Sequence, residues 1–268
     1  IIAQNLNEAI KAVEDIMVDE KFGNAGSQVV IEEFLDGVEA SILSFTDSKV
    51  IVPLLSAKDH KKIGEDETGL NTGGMGVISP NPFVTDEIFE KFKSDIMEPT
   101  LKGIQTEGMD FAGVIFFGLM ITKKGVYLLE YNMRMGDPET QAVLPLLEND
   151  LLELIEKSFE KKLSEVKVNW KPLHSCCVVA AAGGYPESYK KGDEITGVLD
   201  FKETNDNKVF ICGAKVENGK LLTNGGRVLN AVALGNTLEE AQKKAYELLK
   251  TINFEEMYFR KDIGGRFY

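Results

Sequence analysis

The sequence contains few of the residues that form disulfide scaffolds or histidine-rich metal centres. Its 268 residues include three cysteines and two histidines. Cys176 and Cys177 are adjacent in an apolar run and Cys212 stands apart, a spacing that indicates neither a disulfide framework nor a metal site. Because free thiols persist in reducing compartments, we expect a cytoplasmic protein.

Positive charge and long apolar runs are also scarce. The chain has 30 Lys and Arg against 43 Asp and Glu, a formal charge of -13. A nucleic-acid-binding surface needs a basic face, and anionic membranes attract basic segments. No apolar run has the length of a membrane span, and no signal peptide is recognisable. We therefore expect a globular protein without nucleic-acid or membrane partners.

Helical and strand-like periods alternate along the first part of the chain. A helix is predicted over "NLNEAIKAVEDIM", with Asn5 and Glu8 as a capping box, followed by a strand over "QVVIEEFL". The strands "VEASILSF" and "VIVPLL" are joined by the turn "TDSK". Residues 58–83, rich in Gly, Asn and Pro, are predicted to be one long loop. A helix opened by Thr85 is expected to be interrupted at Pro99.

The pattern changes beyond the linker "KVNWKPLH". Short strand-like segments dominate there, Asn218-Gly219 is a hairpin-turn signal, and a second capping box precedes the last helix. We therefore predict two α+β domains, one over residues 1–170 and a smaller one over residues 171–268.

The stretch "LLEYNMRMGDPETQ" combines a strand end with groups suited to phosphate chemistry. With "GVIFFGLMI" and the turn "TKKG" before it, it predicts a β-hairpin. Glu130, Asn132 and Arg134 alternate along the strand, so we expect them on one face, together with Val126 and Leu128. Carboxylate and amide oxygens bind hard divalent cations, and a guanidinium can stabilise a phosphoryl group in transfer. The alternative is a solvated strand end with a Glu–Arg ion pair.

Two weaker patterns precede this strand. In "LNTGGMGVISP" the paired glycines allow backbone amides to approach a phosphate or carboxylate, although a mobile surface loop has the same composition. In "VVIEEFLDGVEAS" backbone groups at the strand exit can bind an adenine edge and Glu39 can bind ribose hydroxyls. The alternative there is an acidic hairpin. His60 is either a substrate contact or an ordinary loop residue.

In this order, and with "YFRKDIGGRF" near the end, these segments closely resemble the glycinamide ribonucleotide synthetase (phosphoribosylamine–glycine ligase) family of ATP-grasp enzymes. The resemblance covers essentially the whole chain, and "NTGGMG" and "RMGDPETQ" are specific to this family. It implies an α+β ATP-grasp fold, an antiparallel sheet with flanking helices, followed by a small α+β C-terminal domain. Residues 1–36 would be a remnant of the ATP-grasp lid.

The activity implied by the resemblance is the ATP-dependent joining of glycine to 5-phosphoribosylamine in purine biosynthesis, through glycyl phosphate. The implied cofactors are ATP and Mg²⁺ or Mn²⁺, the partners are the two small substrates, and a monomer is the expected assembly. The implied metal ligands are Glu130 and Asn132, and the implied catalytic residue is Arg134. The implied ATP contacts are Glu32, Glu33, Phe34, Leu35, Glu39 and Met120. The implied substrate contacts are Asn71, Gly73, Gly74, Met75, Gly76, Asp137, Pro138 and Glu139.

Two departures from the family keep other functions open. Gly118 aligns with a second metal carboxylate of many ATP-grasp enzymes, so other groups or water must complete the metal shell. The chain starts at Ile1, after the family's N-terminal substrate-binding domain and glycine-rich phosphate loop, and both are expected to be absent. The alternatives are an ATP-grasp ligase for another carboxylate and a non-catalytic nucleotide-binding fragment.

Overall fold

The computed structural model describes residues 1–265. The chain forms two units, Ile1–Gly37 and Val38–Tyr268. Within the described residues, no helix is both long enough and apolar enough to cross a membrane.

The first unit contains helix α1 (Leu6–Met17) and a 3-10 turn (Gly23–Ser27). The predicted N-cap at Asn5 is confirmed, but the returning bond of the predicted capping box is shifted by one residue, to Gln4. The Asn5 side chain accepts a hydrogen bond from the backbone N–H of Glu8 at 3.1 Å, and the Glu8 carboxylate accepts one from the backbone N–H of Gln4 at 2.8 Å. The first bond satisfies an N–H group that the start of a helix leaves without a partner, and the second fixes the residue that precedes the cap.

The predicted strand over "QVVIEEFL" is wrong. Residues 28–36 are irregular, and a strand begins only at Gly37. The side chains of Val30 and Ile31 are 85% and 83% exposed. β-branched residues form a strand only where a neighbouring strand receives their backbone hydrogen bonds, and no described strand pairs with this segment. The predicted ATP contacts Glu32–Leu35 therefore lie in irregular chain.

One large sheet and two small hairpins form the β-structure of the second unit. The large sheet contains β1 (Gly37–Thr46), β2 (Ile51–Asp59), β5 (Gly76–Ser79), β6 (Gly113–Thr122), β7 (Gly125–Asn132), β8 (His174–Ala181), β9 (Asn207–Ile211) and β12 (Arg227–Gly235). The hairpins are β3 (Lys62–Gly64) with β4 (Thr68–Asn71), and β10 (Ala214–Glu217) with β11 (Lys220–Thr223). The helices are α2 (Asp86–Phe92), α3 (Glu98–Thr106), α4 (Glu139–Val143), α5 (Leu151–Phe159) and α6 (Leu238–Leu249).

Helices cover both faces of the large sheet, whose strand order is β7-β6-β1-β2-β5-β8-β12-β9. One face, called here the α4 face, packs against α4 and α5 through Leu43, Phe45, Phe116, Cys177, Val232, Ala142, Val143 and Leu154. The opposite face packs against α2 and α3 at one end and α6 at the other, through Ile42, Phe92, Phe117, Leu119, Cys176, Val178, Ala245 and Leu249. The expected antiparallel sheet with flanking helices is confirmed.

Residues 58–83 are not the single long loop that the composition predicted. They contain the hairpin of β3 and β4 and the strand β5, which lies between β2 and β8 in the large sheet. Gly76 pairs with Val178, and Ile78 pairs with Cys176. A strand of four residues that starts with glycine has too few residues to show an alternating pattern in the sequence. Its partner β8 also lies about a hundred residues further along the chain.

Pro99 does not interrupt its helix as expected. α2 continues into a π-helical turn (Lys93–Met97) and then into α3, so the chain stays helical throughout. Pro99 lies in the first turn of α3, and the wider π turn removes the need for a regular hydrogen bond at that position.

The C-terminal part of the chain adds strands β8, β9 and β12 to the sheet, with α6 packed on them. The predicted turn at Asn218-Gly219 is confirmed: it joins β10 to β11, with φ angles of 51° and 77°. β8 pairs with β5, so strands from both predicted domains share one sheet. The boundary between residues 170 and 171 stays a prediction.

Candidate functional site

A bulge in β7 places its polar residues on a different face from its apolar ones. Gly118 of β6 pairs with Glu130, but the next residue, Leu119, pairs with Leu128, so Leu129 is one residue extra. An extra residue reverses the alternation of side chains along a strand. The expectation that Glu130 shares a face with the apolar residues of β7 is therefore wrong. Leu128 packs in the cluster under α2 and α3, whereas Glu130 lies on the α4 face.

Glu130 and Asn132 lie side by side on the α4 face. The Asn132 amide Nδ2 donates to Glu130 Oε1 at 3.0 Å. A Cβ on Gly118 would lie 3.1 Å from Glu130 Cγ, so the glycine leaves the room that this carboxylate occupies. The amide oxygen of Asn132 and the carboxylate of Glu130 are hard donors that fit Mg²⁺ or Mn²⁺. Among residues 1–265 no group of three or more His, Cys, Asp or Glu could hold a metal ion, so this pair would share the ion with phosphate oxygens or water.

Three other residues of the predicted ATP and catalytic site belong to the second unit. Met120 lies on β6 and shares the α4 face, as does Glu39 on β1. Glu39 forms an ion pair with Lys61 at 2.8 Å. Arg134 follows the end of β7, is exposed, and donates from Nη1 to the carbonyl of Met135 at 2.9 Å.

The predicted glycine-rich loop has one exposed and one buried half. Asn71 and Gly73 are exposed, whereas the Met75 side chain is fully buried in the cluster beneath α6 and Gly76 begins β5. Gly74 has a φ of 114°, a conformation that favours glycine. Any side chain of this loop that meets a ligand is therefore in its first half, while the second half can offer backbone groups only.

The loop touches the segment that follows β7. A Cβ on Gly74 would lie 2.6 Å from both Pro138 Cδ and Asp59 Oδ1. A Cβ on Gly136 would clash with the Glu139 carboxylate. The structure therefore brings the predicted substrate residues of the loop together with those of the segment Asp137–Glu139, and glycines make the close approach possible.

Beneath this contact lies a pair of buried carboxyl groups. Glu139 is 4% exposed and accepts a hydrogen bond from the Ser41 hydroxyl at 3.2 Å. Asp59 Oδ1 is buried and has no hydrogen-bond partner among the described residues. Burial, and then the negative charge of Glu139, raise the pKa of Asp59 well above its ordinary value. Burial also raises the pKa of Glu139. Asp59, the last residue of β2, lies on the α4 face. It was not predicted from the sequence as a site residue.

His60 lies in the short connection between β2 and β3, where it is buried. It is 3% exposed, and its Nδ1 lies 3.1 Å from the carbonyl oxygen of Gly76. Burial, with the nearby cations Arg260 and Lys58, lowers the pKa of His60 to about 3, so the imidazole is neutral at physiological pH. Its backbone also bonds Gly76 and Met75, which fixes the end of the glycine-rich loop.

Two residues from the C-terminal part also reach the glycine-rich loop. Arg227 donates to the carbonyl oxygen of Gly73, and the hydroxyl of Tyr185 accepts from the N–H of the same residue. Neither was predicted, because no sequence pattern indicates that "GGRVLN" and "GGYPES" lie beside a loop more than a hundred residues earlier.

Two family models match the chain. The model of the ATP-grasp (A) domain of phosphoribosylglycinamide synthetase matches residues 1–140, and the model of the C domain matches residues 175–266. The chain belongs to the phosphoribosylglycinamide synthetase family. The resemblance to glycinamide ribonucleotide synthetase, another name for this enzyme, is thereby confirmed.

Curated relatives of this chain carry the name phosphoribosylamine–glycine ligase. The protein from Fusobacterium nucleatum is 58% identical over 265 residues, which are 98% of this chain and 62% of the relative. The protein from Clostridium acetobutylicum is 54% identical over 98% of this chain and 62% of its own length. The chain therefore spans about 62% of the length of these relatives.

Solved structures support the same fold. The phosphoribosylamine–glycine ligase of Thermotoga maritima has a TM-score of 0.78 at 34% identity, over 87% of this chain and 57% of that one. A biotin carboxylase domain from Hydrogenobacter thermophilus has a TM-score of 0.67 at 11% identity, over 94% of this chain and 53% of that one. The second likeness shows the ATP-grasp fold alone.

Proposed function

We propose that the full-length protein joins glycine to 5-phosphoribosylamine, forming glycinamide ribonucleotide while ATP becomes ADP and phosphate. Support comes from the match to both family models and from relatives up to 58% identical that are named phosphoribosylamine–glycine ligase. A cytoplasmic location and a monomeric state stay predictions.

The observation that carries this proposal is the grouping of two kinds of residue on the α4 face. Glu130 and Asn132 offer hard oxygen donors, and the contact between the glycine-rich loop and Asp137–Glu139 lies on the same face. Glu130 and Asn132 would hold Mg²⁺, which would neutralise negative charge on the phosphates of ATP. The α4 face thus has one region suited to ATP and another suited to a small polar substrate.

The reaction needs activation because a free carboxylate is a poor electrophile. A carboxylate oxygen of glycine attacks the γ-phosphorus of ATP, the bond to the ADP oxygen breaks, and glycyl phosphate forms. The neutral amine of 5-phosphoribosylamine then attacks the carbonyl carbon, and phosphate leaves with the former carboxylate oxygen while the amine loses a proton. In this proposal Arg134 stabilises the charge on the phosphoryl group in transfer.

The nucleotide contacts in the proposal are the backbone groups of Glu33 and Leu35 with the adenine edge, flanked by Glu32 and Phe34. Glu39 would bind the ribose hydroxyls and Met120 would pack on the base. Glu39 pairs with Lys61 and remains accessible, since its side chain is 41% exposed and that of Lys61 is 40% exposed.

A panel of carboxylates tests the proposed substrate. ADP release by the full-length protein is measured with 5-phosphoribosylamine and, in turn, glycine, alanine, serine or acetate. We expect release with glycine and little with the others, because relatives that are 58% and 54% identical to this chain are named phosphoribosylamine–glycine ligase. Equal release with another carboxylate would favour an ATP-grasp ligase of different specificity, and no release with any would favour the non-catalytic alternative.

A further inference from the structure

Arg227 reaches from the first residue of β12 into the proposed substrate region. Its side chain is only 20% exposed, whereas most arginine side chains in proteins extend into solvent. A Cβ on Gly73 would lie 2.9 Å from the Arg227 guanidinium carbon, so the guanidinium lies directly against the loop backbone.

The Arg227 guanidinium connects the two segments proposed to bind substrate. Nη1 donates to the carbonyl oxygen of Gly73 at 2.7 Å and to that of Asp137 at 2.7 Å, with a longer contact to Gly74 O at 3.4 Å. Nη2 lies 3.4 Å from the Asp137 carboxylate. A planar guanidinium offers several N–H groups in fixed directions, so one side chain sets the distance between both backbones.

Tyr185 holds the same loop from the other side. Its hydroxyl accepts a hydrogen bond from the N–H of Gly73 at 3.1 Å. The Gly73 peptide is thus bonded at its carbonyl by Arg227 and at its N–H by Tyr185. Both groups come from the C-terminal part of the chain, whereas the loop and Asp137 precede it.

We infer that Arg227 is a positioning residue for the proposed ligase site, one that holds Gly73–Gly74 against Asp137–Glu139 in the arrangement that binds the small substrates. This rests on the proposed function. Within residues 1–265 the Arg227 guanidinium bonds Gly73, Gly74 and Asp137 and neither Glu130 nor Asn132, so it acts on the substrate region and not on the proposed metal pair. A displacement of about 1 Å in a substrate-positioning group can change the rate by roughly 100-fold.

The test compares Arg227→Ala, Arg227→Lys and Tyr185→Phe in the full-length protein by steady-state kinetics. We expect Arg227→Ala to raise the KM for glycine by roughly 10–100-fold while the KM for ATP stays within about twofold. Arg227→Lys should recover only part of the loss, because the two-pronged donor geometry is gone. Added guanidinium ion should partly restore glycine KM in Arg227→Ala, and Tyr185→Phe should show a smaller effect of the same kind.

Lys220→Ala is the matched control, since it removes another cation of the C-terminal part whose ion-pair partner is Glu194. It should leave both KM values unchanged. The inference is overturned if Arg227→Ala leaves both kcat and the KM for glycine unchanged, or raises both KM values equally.

Hydrogen–deuterium exchange on the protein alone separates this inference from the proposed function. Arg227→Lys should speed amide exchange in residues 72–76 and 136–139 and leave residues 126–132 unchanged. If the wild-type protein has no ligase activity but amide exchange in these segments is still faster in Arg227→Lys, the proposed function fails and the positioning role stands. If exchange is unchanged, the positioning role fails.

Discussion

The position of the Glu130 side chain is determined by neighbouring residues. Gly118 leaves the space that its side chain occupies, and the extra residue Leu129 moves it to the α4 face. Asn132 then donates to one of its oxygens at 3.0 Å. The pair is thus held in a fixed relative orientation, as a metal-binding pair requires.

Replacing Glu130 with glutamine should weaken binding of magnesium together with ATP. The change keeps the shape of the side chain but removes the anionic charge, so we expect the Mg²⁺ concentration for half-maximal activity to rise at least about tenfold. Glu153→Gln, an exposed change on α5, is the control. The metal assignment is wrong if Glu130→Gln keeps the magnesium dependence of the wild type.

The buried carboxyl groups of Asp59 and Glu139 reduce stability at neutral pH. The pKa of Asp59 in the folded protein lies well above that in the unfolded chain. Its contribution to the free energy of unfolding is therefore fully present below the unfolded pKa and is lost as pH rises through the folded pKa. Glu139, whose pKa is also raised, acts in the same direction.

Asp59→Asn should therefore stabilise the protein increasingly as pH rises. The variant cannot ionise at this position. Its melting temperature should therefore equal that of the wild type at about pH 4 and exceed it at about pH 7.5. Thermal unfolding at both pH values measures this, with the exposed change Asp200→Asn as control. A difference in melting temperature that does not vary with pH would contradict the raised pKa.

At the scale of elements, the sequence predicts what depends on neighbours along the chain. The N-cap of α1 at Asn5 and the hairpin of β6 and β7 follow from local patterns and are confirmed. The bulge at Leu129 depends on how β7 pairs with β6, and β5 exists only because β2 and β8 receive its hydrogen bonds. Residues 28–36 show the reverse case, a strand-like sequence without a strand partner.

The same limit applies to the candidate site. Glu130 and Asn132 could be predicted because two positions on one strand carry the chemistry. Arg227 and Asp59 could not, because their proximity to Gly73 and Gly74 depends on the order of strands in the sheet. Contacts between distant segments leave no periodic pattern in sequence.

The hairpin of β3 and β4 is attached to the segment that carries "YFRKDIGG". Arg260 is 1% exposed, donates to the carbonyl of Lys62 at 3.0 Å and pairs with Glu67 at 2.8 Å and Asp262 at 2.7 Å. Tyr258 adds a hydrogen bond to the same hairpin. The last two residues of the predicted motif, Arg266 and Phe267, lie outside the described residues.

Arg260→Met should therefore destabilise the protein strongly. It leaves the nearly buried Asp262 carboxylate without its cation, and breaking such a pair typically costs about 3–5 kcal/mol. Lys220→Met, which breaks the exposed pair with Glu194, should cost no more than about 1 kcal/mol. Urea unfolding followed by circular dichroism gives both values. Equal, small losses would show that Arg260 does not anchor the hairpin.

At the scale of the whole molecule, the continuous sheet explains how distant segments meet. β5 joins the strands of the predicted ATP-grasp part to those of the C-terminal part. The α4 face therefore extends from the Glu130–Asn132 pair at one end towards Arg227, which begins β12. Residues of both parts contribute to the proposed substrate region.

The central claim is that ATP activates the carboxylate of glycine, and oxygen labelling tests it most directly. The full-length protein is incubated with ATP, 5-phosphoribosylamine and glycine whose carboxylate carries ¹⁸O. If glycyl phosphate forms, each phosphate released must carry one ¹⁸O atom and each glycinamide ribonucleotide must retain one, which mass spectrometry detects. Release of phosphate without ¹⁸O, or ADP formation that does not require glycine, would contradict the claim.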